Sequence, residues 1–220
     1  MRQKRKHLRW FDIGAVTALL FGAPIASSTL TLLSGEATPY VEFSSDNNVQ
    51  ALVQQGVMLA ASMGYLALRR FDFAQWKLTP TWRGSLQGAG IFLALGAMFD
   101  IYYTVLQQFV DFVGEDAASS PVTASLLGYS ALNSVYEELF FLGVCLCVAT
   151  RYRVRALWYS IAVRTSFHTY MGLPTAAGIG LGAGLFYYAA YTRLGTLYPL
   201  IVAHALADVF GSSLLGLFYR

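Results

Sequence analysis

The chain has 220 residues, 56% hydrophobic and only 12% charged, with a net charge of +3 and a mean hydropathy of +0.50. Soluble domains carry roughly 25% charged residues. Half that share, with the charges segregated between long apolar stretches, excludes an ordinary soluble domain and points to one membrane domain with short loops. The basic residues sit beside apolar spans rather than in a stripe with aromatics, so nucleic acid is excluded as a partner.

The N-terminus is basic over residues 1–10, with Arg2, Lys4, Arg5, Lys6 and Arg9. The apolar stretch that follows, Phe11 to Leu33, is longer than the roughly 7–15 residues of a cleaved signal, so a retained first transmembrane helix is expected. Seven spans follow in order: 11–33, 49–68, 84–108, 122–149, 156–172, 175–192 and 196–218. Each approaches the ~20 residues that cross about 30 Å of hydrocarbon. The fifth and sixth are short and separated only by Met171 to Pro174, as two tight spans or a partly re-entrant pair. The fold class is therefore all-α, a polytopic transmembrane helical bundle.

The loop charges sort by side. Arg69, Arg70, Lys77 and Arg83 lie between spans two and three, Arg151, Arg153 and Arg155 between four and five, and Arg193 after six. Glu36, Glu42 and Asp46 lie between spans one and two, and Asp111, Glu115 and Asp116 between three and four, with no Lys or Arg in either loop. The positive-inside rule then puts a multi-pass protein in the cell membrane with its N-terminus in the cytoplasm and its C-terminus outside.

Ionisable side chains inside spans cost roughly 2.5–3.5 kcal/mol each on insertion scales, so those present need a reason. They are Asp100, Glu137, Glu138, Arg164, His168, His204 and Asp208; Asp12 is expected near an interface, within reach of water. Adjacent carboxylates on a helix diverge by about 100°, so only one of Glu137 and Glu138 is expected to face a given site. The other can balance Arg164. A carboxylate held out of bulk water is the kind of group that serves as general base. Arg164 and His168 are four residues apart, as are His204 and Asp208, so each pair shares a helix face. An Asp one turn from a His orients its ring and can help hold a metal. For Asp100, Arg164 is a candidate partner.

Other residues read as scaffold. Cys145 and Cys147 point about 200° apart on a helix, so they neither pair nor grip one metal, and they read as apolar packing. Gly178, Gly182 and the Gly180–Gly184 pair follow the small-xxx-small spacing of close-packed helices. Ser166 lies on a face diverging from His168, against a serine-type site.

The order Glu137-Glu138-Leu-Phe-Phe-Leu142, then Arg164-Thr-Ser-Phe-His168, then His204-Ala-Leu-Ala-Asp208 resembles the CPBP family of intramembrane proteases. This family is also known as the Abi or type II CAAX prenyl endopeptidase group. The resemblance covers about residues 122–215, and departs from the family pattern at Leu142, where Arg is expected; Arg164 on the neighbouring helix can supply the charge. It implies a division into a basic cytoplasmic N-terminus (1–10), N-terminal helices and loops (11–121) and a CPBP-like catalytic core (122–218).

It also implies an intramembrane glutamic endopeptidase with no cofactor and no metal. In that reading Glu137 is the general base, His168 orients or shares the water, His204 and Asp208 line the oxyanion site, Glu138 is accessory and Arg164 supports. The partners implied are the lipid bilayer and a membrane-embedded peptide or protein substrate, a prenylated CAAX tail or a bacteriocin leader among the possibilities. Two other classes stay open. One is a metal-binding membrane hydrolase or transporter, for which no His-Glu-x-x-His is present. The other is a non-catalytic immunity or assembly factor, which Leu142 allows.

Overall fold

A computed structural model describes residues 7–38, 44–109 and 121–215. Arg2, Lys4, Arg5, Lys6, Glu42, Asp111, Glu115 and Asp116 lie outside the described residues. The first three helices are α1 (Trp10–Leu33), α2 (Ser45–Leu68) and α3 (Trp82–Leu106), and each is long and apolar enough to cross a membrane. Their starts follow from local chemistry. The backbone N–H groups of Asn47 and Gly84 are capped by the Ser44 and Thr81 hydroxyls at 3.2 and 3.0 Å, satisfying donors that a helix start leaves unpaired.

The later spans are shorter or interrupted. The expected fourth span, 122–149, is α4 (Ala124–Glu138) running into a π-helical turn, Leu139–Val144. The fifth begins earlier than expected, as α5 (Arg153–Phe167), and ends in a 3₁₀ turn at Thr169–Met171. Gly172 follows with φ +86°, a conformation that favours glycine, and Pro174 lies in the first turn of the next helix. That helix is α6 (Leu173–Ala177), continued by a π-helical turn (Gly178–Ala183) and α7 (Gly184–Leu194). The last helix is α8 (Tyr198–Phe210).

A π-helical turn leaves carbonyls that an α-helix would satisfy, and here they are met from outside. The Trp76 indole N–H donates to the Gly143 carbonyl at 2.9 Å, and the Ser160 hydroxyl donates to that of Phe141 at 3.1 Å. Gly143 is required by the first of these contacts, since a Cβ there would lie 2.9 Å from the indole nitrogen.

The chain's two ends of the bundle differ in charge. At one end the Leu8 N–H donates to the Cys147 carbonyl at 2.7 Å, and the Thr196 hydroxyl donates to that of Lys77 at 2.6 Å. This end carries Arg9, Arg69, Arg70, Lys77, Arg151, Arg153, Arg155 and Arg193. At the other, the Thr38 N–H donates to the Tyr170 carbonyl at 2.9 Å and the Ser125 hydroxyl to that of Ser45 at 3.3 Å. Asp12 corrects an expectation. It does not reach water but is 1% exposed, accepting from Arg69 Nε at 2.6 Å and the Tyr65 hydroxyl at 2.9 Å. It ties α1 to α2 because a buried carboxylate must be paired.

Small residues set the helix spacing. On α3, a Cβ at Gly88 would meet Val202 Cβ at 2.6 Å, which brings α3 against α8. A Cβ at Gly180 would sit 1.9 Å from the Thr165 hydroxyl and 2.9 Å from its Cα, which locks α5 against the π-helical turn of residues 178–183. The second contact fits the glycine spacing read from the sequence; the first lies on α3, outside that set of glycines. Gly180→Val is expected to destabilise the fold by about 1–3 kcal/mol, since overpacking forces backbone shifts. A lower thermal unfolding midpoint in detergent is the readout.

Candidate active site

Glu137 and Glu138 end α4, immediately before its π-helical turn. Both are buried and both approach His204, from opposite ring nitrogens, but only Glu138 also holds Arg164. Glu138, 0% exposed, accepts at Oε1 from Arg164 Nη2 at 2.7 Å and from His204 Nδ1 at 2.8 Å. Glu137 instead lines a cavity of about 360 Å³, which Arg164, His168, His204 and Asp208 also line. Three separate segments, α4, the end of α5 and α8, thus deliver the residues of the sequence motifs to one space.

Arg164 is held from three sides. Besides Glu138, its guanidinium lies over the Phe141 ring at 4.2 Å and the Tyr187 ring at 5.5 Å, contacts that favour a flat delocalised cation. Leu142 is itself buried in the π-helical turn, and the cation that pairs with Glu138 comes from α5.

The two histidines are set differently. His168 caps the end of α5, and its Nδ1 donates to the Arg164 carbonyl at 2.8 Å. A carbonyl can only accept, so the neutral ring carries its proton on Nδ1 and presents the Nε2 lone pair. His204 gives Nδ1 to Glu138, while its Nε2 lies 3.5 Å from Asp208 Oδ1 and 3.9 Å from Glu137 Oε2. Its ring stacks on Tyr187 with centroids 6.2 Å apart. Both nitrogens of His204 are therefore turned toward carboxylates. The one-turn pairing with Asp208 read from the sequence is present, and the pairing of His168 with Arg164 runs through the backbone carbonyl rather than the guanidinium.

Asp100 does not meet Arg164. It accepts from the Ser213 hydroxyl at 2.6 Å and from the backbone N–H groups of Leu214 and Leu215 at 3.2 Å, holding the segment that follows α8. Ser166 is occupied with the Ala162 carbonyl at 2.7 Å, as expected of a residue outside the site. Cys145 and Cys147 are buried free thiols. Among the described residues no group of three His, Cys, Asp or Glu side chains is arranged to hold a metal ion.

Sequence reasoning missed a neutral polar relay. Asn133 Nδ2 donates to Asp208 Oδ2 at 2.9 Å and its Oδ1 accepts from Gln55 Nε2 at 2.8 Å. Asn133 precedes Glu137 by one turn, so an i, i+4 search of uncharged polar residues would have found it. Gln55 has no such local signal.

Membrane-length helices thus surround a cavity lined by a carboxylate–histidine cluster. Residues 119–210 match the family described as type II CAAX prenyl endopeptidase Rce1-like, and this segment holds every motif residue from Glu137 to Asp208. The CPBP resemblance is thereby borne out, and the match supports a CAAX-type membrane endopeptidase, a protease, in general. No curated protein and no solved structure matches the chain.

Proposed function

We propose that the chain is an intramembrane glutamic endopeptidase that hydrolyses a membrane-anchored or membrane-proximal peptide with a water activated by Glu137 and His168. One observation carries the reading: Glu137, His168 and His204, from three separate segments, line the same cavity. The chemistry divides among them by what each is free to do. Glu137 is not bound to the guanidinium and faces the cavity, so its carboxylate takes a proton from water. His168, fixed by the Arg164 carbonyl, offers Nε2 as an acceptor that holds the same water. His204, held between Glu138 and Asp208, carries protons on both ring nitrogens, so that Nδ1–H donates to Glu138 and Nε2–H is directed toward the developing oxyanion. Glu138 and Arg164 set the position of His204 and do not touch the reacting atoms.

In this reading the protein is multi-pass, with its basic end in the cytoplasm. The test is cleavage of a lipid-anchored fluorescent peptide in proteoliposomes. Cleavage that survives chelation and metal stripping, and is lost in the Glu137→Ala/His168→Ala double variant, supports the reading. Full activity of the double variant overturns it, and activity that follows a stoichiometric metal overturns the metal-free mechanism.

A further inference from the structure

We infer that the cavity opens on the extracytoplasmic face, so that the peptide bond it takes is presented from outside the cytoplasm; the substrate half of this inference rests on the peptidase reading. The argument is one of helix halves. The basic end of the bundle holds Arg69, Lys77, Arg151 and Arg155, and the positive-inside rule assigns that end to the cytoplasm. Every long helix lends the cavity its other half. From α1, which starts at the basic end, the lining begins only at Phe21 and reaches Ser27. From α2, which ends there, it stops at Met58. The ends of α5 and α8 remote from the basic end supply Arg164 to His168 and His204 to Val209.

The basic side is closed. Phe21, Phe140 and Phe141 pack ring to ring at 4.8–5.2 Å, and Phe140 and Phe141 are fully buried. The rim on the far side is polar and exposed at Ser27 and Gln54. Water and an extended peptide therefore have a polar entry from that side, and an aromatic floor beneath the cluster on the cytoplasmic side. A tail displayed in the cytoplasm would have to cross that floor to reach Glu137.

The test reads direction independently of catalysis. Ser27→Cys and Gln54→Cys are placed at the rim and Arg155→Cys at the basic end. Each is treated with a membrane-impermeant methanethiosulfonate in intact bacterial cells and again after lysis, with the unsubstituted chain and its buried Cys145 and Cys147 as baseline. The rim cysteines are expected to react in intact cells and Arg155→Cys only after lysis. Rim cysteines that react only after lysis, or at neither stage, overturn the inference. A pair of reporters, the same membrane anchor displaying one cleavable segment outside or inside, adds the activity arm. Cleavage of the outside segment alone is expected, and cleavage of the inside segment overturns the inference. Cleavage of neither, with rim labelling as expected, counts against the peptidase reading and leaves the direction of the opening standing.

Discussion

Glu137→Gln is expected to lower the turnover of a membrane-anchored peptide by roughly 10²–10⁴-fold, the range that a positioned general base contributes, while leaving the unfolding midpoint near that of the parent chain. The two carboxylates next to each other in sequence make this a sharp comparison. Glu137 lines the cavity, and its carboxylate lies 3.9 Å from His204 Nε2. An amide of the same shape fills its volume and removes its basicity. Glu138 is bound through Oε1 to both Arg164 and His204, so Glu138→Gln is expected to lower the unfolding midpoint as well as the rate. Single-turnover cleavage alongside thermal unfolding in detergent separates the two. Equal losses of rate and equal losses of stability at both positions would contradict the division of roles.

Arg164→Met is expected to destabilise the protein by about 3–5 kcal/mol, the usual cost of removing one partner of a buried pair. Arg164 is 2% exposed and Glu138 fully buried, so no solvent replaces the lost guanidinium. Methionine fills much of the space between Phe141 and Tyr187, which leaves the unpaired carboxylate as the main loss. Arg164→Lys keeps the charge but gives up the flat stacking on those rings, and is expected to fall between the parent and Arg164→Met. Unfolding midpoints across the three chains give the order. A midpoint for Arg164→Met equal to that of the parent would show that Glu138 does not depend on the pair.

These outcomes bear on what could be read in advance. Glu137, Glu138, Arg164, His168, His204 and Asp208 were legible because a titratable side chain in an apolar run is costly enough to announce itself. Leu142 was legible as a departure from the motif pattern, and Arg164 as a candidate source of the charge, because both lie within the motif order. Asn133, Gln55 and Tyr187 were not, since neutral polar and aromatic residues are ordinary in spans and gain a role only from neighbours on other helices. Asp12 and Asp100 were misplaced for the same reason: their partners, Arg69 and the Ser213–Leu215 backbone, are distant in sequence. The apolar segments themselves were found to within a few residues for α1 to α3. The π-helical turns were invisible, because Trp76 and Ser160 stabilise one of them from far along the chain.

That turn makes the site depend on residues far along the chain, since Trp76 and Ser160 hold its carbonyls. Beside Leu142, the buried cation paired with Glu138 is Arg164, carried by another helix. Deleting any one residue between Leu139 and Val144 would remove the turn. The segment would then wind as ordinary α-helix, whose larger rotation per residue offsets the lost residue, so the flanking halves keep nearly the same facing and the loss falls on the turn itself. The Gly143 carbonyl would turn away from Trp76 and the Phe141 carbonyl from Ser160. Related chains that keep this turn should therefore keep glycine at the Gly143 position and hydrogen-bond donors facing it where Trp76 and Ser160 stand here.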